Sequence, residues 1–167
     1  MLTDRCGVPD DIHPGAAVKA VSGKGTYILV LHLPQNSAVT VGKLGHYPFL
    51  QGFYAYAGSA LGPGGLRGRL GHHLRPVQRP RWHLDYLRRG ALATAVWWSA
   101  AGIRREHTWA ALLRQLPGAT LIVPRFGASD CNCASHLFHY LEPPSFTLFR
   151  ALATERFPDE AVHALAL

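Results

Sequence analysis

The stretch from residue 52 to residue 75, GFYAYAGSALGPGGLRGRLGHHLR, constrains the fold more than any other part of the chain. Residues 52–56 are rich in aromatic side chains and predict a strand. Residues 58–65 contain four glycines and one proline, which predicts a loop. Leu66, Leu70 and Leu74 then recur every four residues, as on the apolar face of a helix. The chain is therefore expected to form a strand, a turn and a helix in close succession.

The remaining patterns predict a mixed fold of helices and strands. Residues 26–33, TYILVLHL, are β-branched, aromatic or apolar and predict a buried strand. Further strands are predicted at 38–41, 91–100 and 120–123, and further helices at 82–89, 104–116, 135–140 and 159–165. This order favours a single α+β domain in which helices pack on a sheet. We divide it into an irregular lead-in (1–23), a core (24–141) and a C-terminal tail with a helix (142–167).

The charge of the chain favours a polyanionic partner. Seventeen Lys and Arg stand against ten Asp and Glu, for a net charge of +7, and fourteen of the cations are Arg. Only three carboxylates lie between residues 12 and 141, namely Asp85, Glu106 and Asp130. The planar guanidinium of Arg matches the oxygens of a phosphate, so nucleic acid is the first candidate partner. A solvated basic face that serves solubility is the alternative.

The sequence lacks the patterns of a membrane span, a signal peptide and a disulfide framework. No run of about 18 apolar residues is present, so we expect no membrane-spanning segment and no membrane partner. The first residues, MLTDRCGVPDDIH, lack the pattern of a signal peptide, which predicts a cytoplasmic protein. Three cysteines, two of them separated by one residue, do not predict a disulfide framework.

Five residues stand out as candidates for chemistry. Arg69 and His73 are four residues apart and share one helical face beside the leucine stripe. Glu106 lies on the same stripe as apolar residues of its helix, where an acid needs a partner or a metal. Tyr27 and Tyr56 each lie in a strand close to a glycine. Taken singly, each also fits an ordinary role in packing, capping or solvation.

Taken in order, these residues resemble a known nuclease signature. Gly25-Thr26-Tyr27, Tyr56-Ala57-Gly58, Leu66-x-x-Arg69-x-x-x-His73 and Glu106 resemble the motifs of the GIY-YIG nuclease superfamily. The segments WHLDY (82–86) and FGASDCNCASH (126–136) resemble a poorly characterised branch of it, which also occurs fused to a DNA-repair glycosylase in some archaea. The resemblance covers residues 25–140. It implies a small, mainly antiparallel sheet with helices packed around it.

The resemblance also implies metal-dependent hydrolysis of phosphodiesters. Glu106 would hold one Mg²⁺ or Mn²⁺ ion and Arg69 would bind the scissile phosphate. Tyr56, with Tyr27, would orient or deprotonate the attacking water, and His73 would assist proton transfer or bind a phosphate oxygen. Flanking phosphates would be bound by a further set of basic residues: Arg75, Arg79, Arg81, His83, Arg88 and Arg89.

A second group of residues with metal-binding or nucleophilic side chains follows position 128. The segment Cys131-Asn132-Cys133-Ala134-Ser135-His136 has residue types suited to zinc, but Cys-x-Cys is tighter than the usual pair. We therefore do not expect structural zinc, and favour a turn in which Asp130 or Ser135 caps a following helix. A cysteine nucleophile is a weaker alternative. The residues of this structural or second site are Asp85, Ser129, Asp130, Cys131, Cys133 and His136.

Three functions follow in order of preference. The first is a metal-dependent endonuclease that acts on DNA rather than RNA, with single-stranded DNA as one candidate substrate and DNA repair as a candidate process. The second is a nucleic-acid-binding module that has kept the fold without turnover. The third is a thiol hydrolase that uses Cys131 or Cys133.

Overall fold

A computed structural model describes residues 18–167 of the chain. Its main feature is a five-stranded antiparallel sheet with strand order β6-β4-β1-β5-β7, accompanied by a separate hairpin of β2 and β3. The strands are β1 (Gly25–Leu33), β2 (Ser37–Thr40), β3 (His46–Phe49), β4 (Gly52–Ala60), β5 (Leu92–Ser99), β6 (Leu137–Tyr140) and β7 (His163–Ala166). The helices are α1 (Gly65–His73), α2 (His83–Arg88), α3 (Glu106–Gln115) and α4 (Phe146–Arg156). The predicted α+β class is confirmed.

Strand β1 lies at the centre of the sheet because nearly all its side chains are apolar. It pairs along its length with β4 on one side and β5 on the other. Its side chains alternate between two cores: Tyr27, Leu29 and Leu31 belong to one, and Ile28 and Val30 to the other. A strand that is buried on both faces needs apolar residues at its odd and its even positions, which explains the uninterrupted apolar run.

Two layers of helices cover the sheet. On the Tyr27 face, Leu66 and Leu70 of α1 and Leu84 and Leu87 of α2 are buried in the first core, together with Phe49 of the hairpin. On the opposite face, α3 and α4 contribute residues that include Trp109, Leu113 and Phe149. Among residues 18–167, no helix combines the length and the apolar character that a membrane crossing requires.

The helices predicted at 135–140 and 159–165 are wrong. Residues 137–140 form β6, whose four side chains are all buried and which pairs with the edge of β4. Ser135 consequently caps no helix; its hydroxyl donates to the carbonyl of Leu137 and accepts from the Leu137 amide. Residues 163–166 form β7 on the free edge of β5. In both segments, pairing with an open sheet edge outweighs local helix propensity.

Other boundaries also differ from the predictions. The tail does contain a helix, but at Phe146–Arg156 and not at 159–165. It begins there because the hydroxyl of Ser145 accepts a hydrogen bond from the Leu148 amide and so caps the helix. Of the predicted strand 120–123, only Thr120 is paired, in a single bridge to His139. Most of the predicted lead-in, 1–17, lies outside the described residues. Its remainder includes Val18 and Val21, which are buried in the core beneath α1.

Candidate active site

Tyr27 owes its position to the glycine opposite it in the sheet. Tyr27 of β1 pairs with Gly58 of β4, and its ring lies directly over that glycine. A Cβ atom added at Gly58 would lie 2.5 Å from the Tyr27 hydroxyl oxygen and 2.6 Å from the ring carbon that carries it. Contacts this short do not occur, so residue 58 must be glycine for the ring to lie there. The two motifs GTY and YAG thus form one packing unit.

The Tyr27 hydroxyl is hydrogen-bonded to a buried histidine. Its oxygen lies 2.7 Å from Nε2 of His73, at the end of α1. Burial lowers the pKa of His73 to about 3, although the nearby Asp85 carboxylate opposes this shift. Burial also raises the pKa of Tyr27 well above its usual value, and the neighbouring Tyr56 adds to the increase. The hydroxyl therefore keeps its proton and donates it to a neutral imidazole.

Asp85 lies on the other side of the His73 ring and is completely buried. Its Oδ2 accepts hydrogen bonds from the amides of Arg81 and Trp82 at the start of α2, at 2.8 and 3.1 Å. Burial alone would raise its pKa, but the two amides and the adjacent histidines outweigh burial, and the pKa is lowered. Its Oδ1 lies 4.0 Å from Nδ1 of His73 and 3.5 Å from Nε2 of His72. An ionised Asp85 therefore favours the tautomer that carries a proton on Nδ1 of His73.

Tyr56 lies beside Tyr27, with 6.4 Å between the ring centroids, and contacts Phe126 edge-on. Gly127, in the loop after α3, has a φ of 71° and leaves room for this ring, because a Cβ there would lie 2.7 Å from a Tyr56 ring carbon. Burial raises the pKa of Tyr56 to about 12, while the charge of Arg69 opposes this and Glu106 adds to it. Neither tyrosine is ionised at neutral pH in the free protein.

Arg69 lies on α1 at the edge of this site. Its guanidinium stacks on the ring of Trp82, with 4.5 Å from the central carbon to the ring centroid. Arg69, Trp82 and His72 line a groove of about 300 Å³ whose other wall is the glycine-rich loop 62–65. The positive charge of Arg69 opposes the raised pKa values of both Tyr27 and Tyr56. The charge of the arginine therefore favours the ionised form of both hydroxyls.

Glu106 is the first residue of α3, and strand β1 fixes its position. The hydroxyl of Thr26 accepts a hydrogen bond from the amide of Arg105 at 2.9 Å and lies 3.3 Å from the carbonyl oxygen of Ile103. Glu106 is only 6% exposed. Its Oε1 accepts a hydrogen bond from Arg104, whereas its Oε2 is buried without a hydrogen-bond partner. A buried carboxylate oxygen without a partner destabilises the folded state unless a cation or a hydrogen-bond donor binds it. Glu106 is therefore suited to be a ligand of a divalent ion.

The predicted phosphate-binding residues separate into distinct groups. Arg75, Arg79 and Arg81 line one groove of about 620 Å³ together with His72. Arg89 lines a different groove, formed with β2.

Arg88 and His83 make contacts within the fold. Arg88 is half-buried, donates to the carbonyl of Arg75 at 2.9 Å, and has its pKa lowered by burial. Nδ1 of His83 accepts from the Gly127 amide at 2.9 Å, and its ring packs against Phe126.

The residues around position 131 gather near the start of α3. Sγ of Cys131 lies 3.5 Å from Nε2 of His136, and Sγ of Cys133 lies 3.1 Å from Nδ1 of His107. Burial and the neighbouring Cys131 raise the pKa of Cys133 to about 11, which argues against Cys133 as a thiolate nucleophile at neutral pH in the free protein. Ser129 and Asp130 are exposed on the same loop.

Sequence reasoning missed His107, Trp82 and His72 as members of these sites. His107 gives no signal of its own, because its contact with Cys133 spans 26 residues of sequence. Its place directly after Glu106 is the one clue that the sequence offers. Trp82 and His72 are recognisable only once α2 is known to pack against α1, where their rings meet at 4.4 Å.

Comparison with known proteins adds a family but no named relative. The family described as "Domain of unknown function DUF123" matches residues 26–156, which is most of the chain and includes all the residues of the site described above. Neither a curated protein nor a solved structure matches the chain.

Proposed function

We propose that this chain, which belongs to the DUF123 family, is a metal-dependent endonuclease of the GIY-YIG type that hydrolyses phosphodiester bonds in DNA. The observation that carries the proposal is the convergence of five residues spread from position 27 to position 106. Tyr27, Tyr56, Arg69, His73 and Glu106 come from four elements, and their charges and hydrogen bonds act on one another in a single site. Such a combination offers a base, a phosphate ligand and a metal ligand.

Glu106 is the proposed ligand of one Mg²⁺ or Mn²⁺ ion, through the oxygen that is buried without a partner. A bound divalent ion of this kind supplies positive charge that stabilises the phosphate oxygens and acidifies water. Thr26 holds the residues just before Glu106 and thereby fixes the direction of the carboxylate. The strand that carries Tyr27 thus also positions the metal ligand.

Arg69 is the proposed ligand of the scissile phosphate. The guanidinium lies over the ring of Trp82, and its paired N–H donors suit the oxygens of a phosphate. A phosphate in the groove beside Arg69 would accept two of these hydrogen bonds side by side. The arginine would then stabilise the charge that develops on the phosphorane in the transition state.

Proton transfer is proposed to run through Tyr27. The attacking water donates its proton to the Tyr27 oxygen as the Tyr27 hydroxyl proton moves to Nε2 of His73. Tyr27 ends neutral, and His73 holds the proton only transiently because its pKa is about 3, with the ionised Asp85 on its Nδ1 side. As water adds to phosphorus, the bond to the leaving oxygen breaks, and that oxygen takes up a proton, so that the free imidazole is restored. Tyr56 orients the water. This relay explains why two tyrosines with raised pKa values are useful: neither has to ionise on its own.

The basic groove of Arg75, Arg79 and Arg81 adjoins the site through His72, which lines both grooves. It is proposed to bind the phosphates next to the cleaved bond, and its arginines would make binding fall steeply with salt. DNA is preferred over RNA as the substrate, with DNA repair as the proposed setting. Such an enzyme is expected in the cytoplasm.

The test is a cleavage assay with labelled single-stranded and double-stranded DNA in the presence of Mg²⁺, Mn²⁺ or EDTA. We expect cleavage that requires the metal and is abolished in Glu106→Gln and Arg69→Ala, with circular dichroism unchanged. Arg150→Ala, an exposed arginine on α4 far along the chain from these motifs, is the matched control and should cleave normally. Salt-sensitive binding without cleavage in either metal would instead establish a nucleic-acid-binding module.

A further inference from the structure

We propose that Cys131, Cys133, His136 and His107 bind one Zn²⁺ ion, which joins the loop between α3 and β6 to the first turn of α3. The four side chains each offer one ligand atom, and these atoms all lie within 4.8 Å of one another. The proposal replaces the expectation from sequence that structural zinc is absent. It is independent of the proposed nuclease activity.

The distances fit a tetrahedral site. Zn–S and Zn–N bonds of about 2.3 and 2.0 Å give tetrahedral edges of roughly 3.3 to 3.8 Å. The His107–Cys133 and Cys131–His136 contacts, at 3.1 and 3.5 Å, already lie near this range. The remaining pairs lie no more than 4.8 Å apart, so closing each by at most about 1.5 Å would complete the tetrahedron. The tight Cys-x-Cys spacing, which argued against zinc in the sequence, is compensated by a fourth ligand from a different element.

The ligand set selects the metal and the role. Two thiolates and two imidazoles are a soft to borderline set, which favours Zn²⁺ over the Mg²⁺ or Mn²⁺ proposed at Glu106. Four protein ligands leave no open position for water, so the zinc is structural rather than catalytic. Arg125 supports the loop, since its guanidinium donates to the carbonyl of Cys133 at 2.9 Å and its amide donates to the carbonyl of Ala134 at 2.7 Å.

The position of this site gives the zinc a consequence for the neighbouring one. His107 directly follows Glu106, and when Nδ1 faces Cys133, Nε2 faces Oε1 of Glu106 at 3.9 Å. The same loop carries Gly127, which packs against the ring of Tyr56. Zinc would therefore hold two walls of the candidate active site, the start of α3 and the loop over Tyr56, without contacting substrate.

The test is metal analysis of the full chain purified without chelators. We expect one zinc per chain by mass spectrometry, and after exchange with Co²⁺ the intense visible absorption of a tetrahedral cobalt–thiolate site. His107→Ala and Cys133→Ser should reduce zinc to background, whereas His107→Cys, which restores a ligand, should keep it. Matched controls are His46→Ala, an exposed histidine of β3, and Cys6→Ser, the third cysteine; both should keep zinc, as should Glu106→Gln.

The proposal can be tested even if the variants fail to fold. The cobalt spectrum and the release of zinc on thiol modification are both measured on the wild-type chain. The proposal is overturned by zinc at background in this chain after incubation with Zn²⁺, or by a weak octahedral cobalt spectrum. Full zinc content in a folded His107→Ala variant would equally overturn it, since the fourth ligand is what distinguishes this site from a chance pair of thiols. Zinc content and the cobalt spectrum are read without any DNA cleavage assay, so failure of the zinc site and failure of the nuclease proposal are distinguishable.

Discussion

The contact between Gly58 and Tyr27 leads to a quantitative prediction for Gly58→Ala. The added methyl group would lie 2.5 and 2.6 Å from the hydroxyl oxygen and the adjoining carbon of Tyr27. A relaxed contact needs about 3.5 to 4 Å, so the ring or the strand must move by roughly 1 Å. Tyr27 is buried under α1, which leaves the ring no free space on that side.

The expected cost has two parts. Overpacking a buried site destabilises a protein by about 1–3 kcal/mol, and losing the Tyr27–His73 hydrogen bond adds about 1 kcal/mol. We therefore expect Gly58→Ala to lower the free energy of unfolding by about 2–4 kcal/mol in urea denaturation followed by circular dichroism. If the proposed function holds, cleavage of DNA should be lost as well, because the displaced hydroxyl would no longer meet the attacking water.

The control for this prediction is Gly68→Ala, in the middle of α1. A Cβ added there meets no atom within 4 Å, so the only effect is the gain in helix propensity. Gly68→Ala should raise the free energy of unfolding by about 0.5–1 kcal/mol. The reasoning is refuted if the two variants have the same stability, or if Gly58→Ala destabilises by less than about 0.5 kcal/mol.

Three further predictions follow from the same site. The pKa of His73 is about 3 in the folded protein and about 6.5 when unfolded, so stability should be complete above about pH 6.5 and decline by about 1.4 kcal/mol per pH unit as the pH falls toward 3. Urea unfolding at pH 7 and pH 5 should therefore show a loss of stability that is smaller by about 2 kcal/mol in His73→Gln. The loss that remains comes from His83 and His136, whose pKa values burial also lowers. Tyr27→Phe should leave Nε2 of His73 buried without a partner, at a cost of about 1–3 kcal/mol in the same assay; an unchanged midpoint would contradict the hydrogen bond. Arg69→Lys should keep the fold but slow DNA cleavage about a hundredfold, because a lysine cannot stack on Trp82 and present paired donors; equal single-turnover rates would count against this role.

Much of the candidate site was predictable from local patterns. The four-residue spacing of Arg69 and His73 predicts that both lie on one face of a helix. Glu106 is recognisable because it is an acid on the otherwise apolar stripe of α3. The side chains that support them were harder to find. Asp85 acts on His73 only because α2 packs beside α1, and the Thr26–Arg105 hydrogen bond joins residues 79 positions apart. Such long-range contacts leave no periodic trace in a sequence.

The two wrongly predicted helices share one physical cause. Residues 137–140 and 163–166 are short, and nothing in their own composition distinguishes a strand from a turn of helix. Each becomes a strand because β4 and β5 offer an open edge of unpaired backbone groups. The apolar run of β1, in contrast, was unambiguous because a strand buried on both faces must be apolar throughout.

The alternation of β1 between the two cores ties the chemistry of the site to the folding of the sheet. A slip of one residue in the pairing of β1 would exchange its two faces, sending Tyr27 toward α3 and bringing Ile28 beneath α1. The strand register that buries the apolar side chains of β1 on both faces therefore also places the Tyr27 side chain beneath α1. A substitution that changes the register of this strand therefore changes the position of the tyrosine as well, whereas the loops and the arginine-lined groove can vary without altering that register.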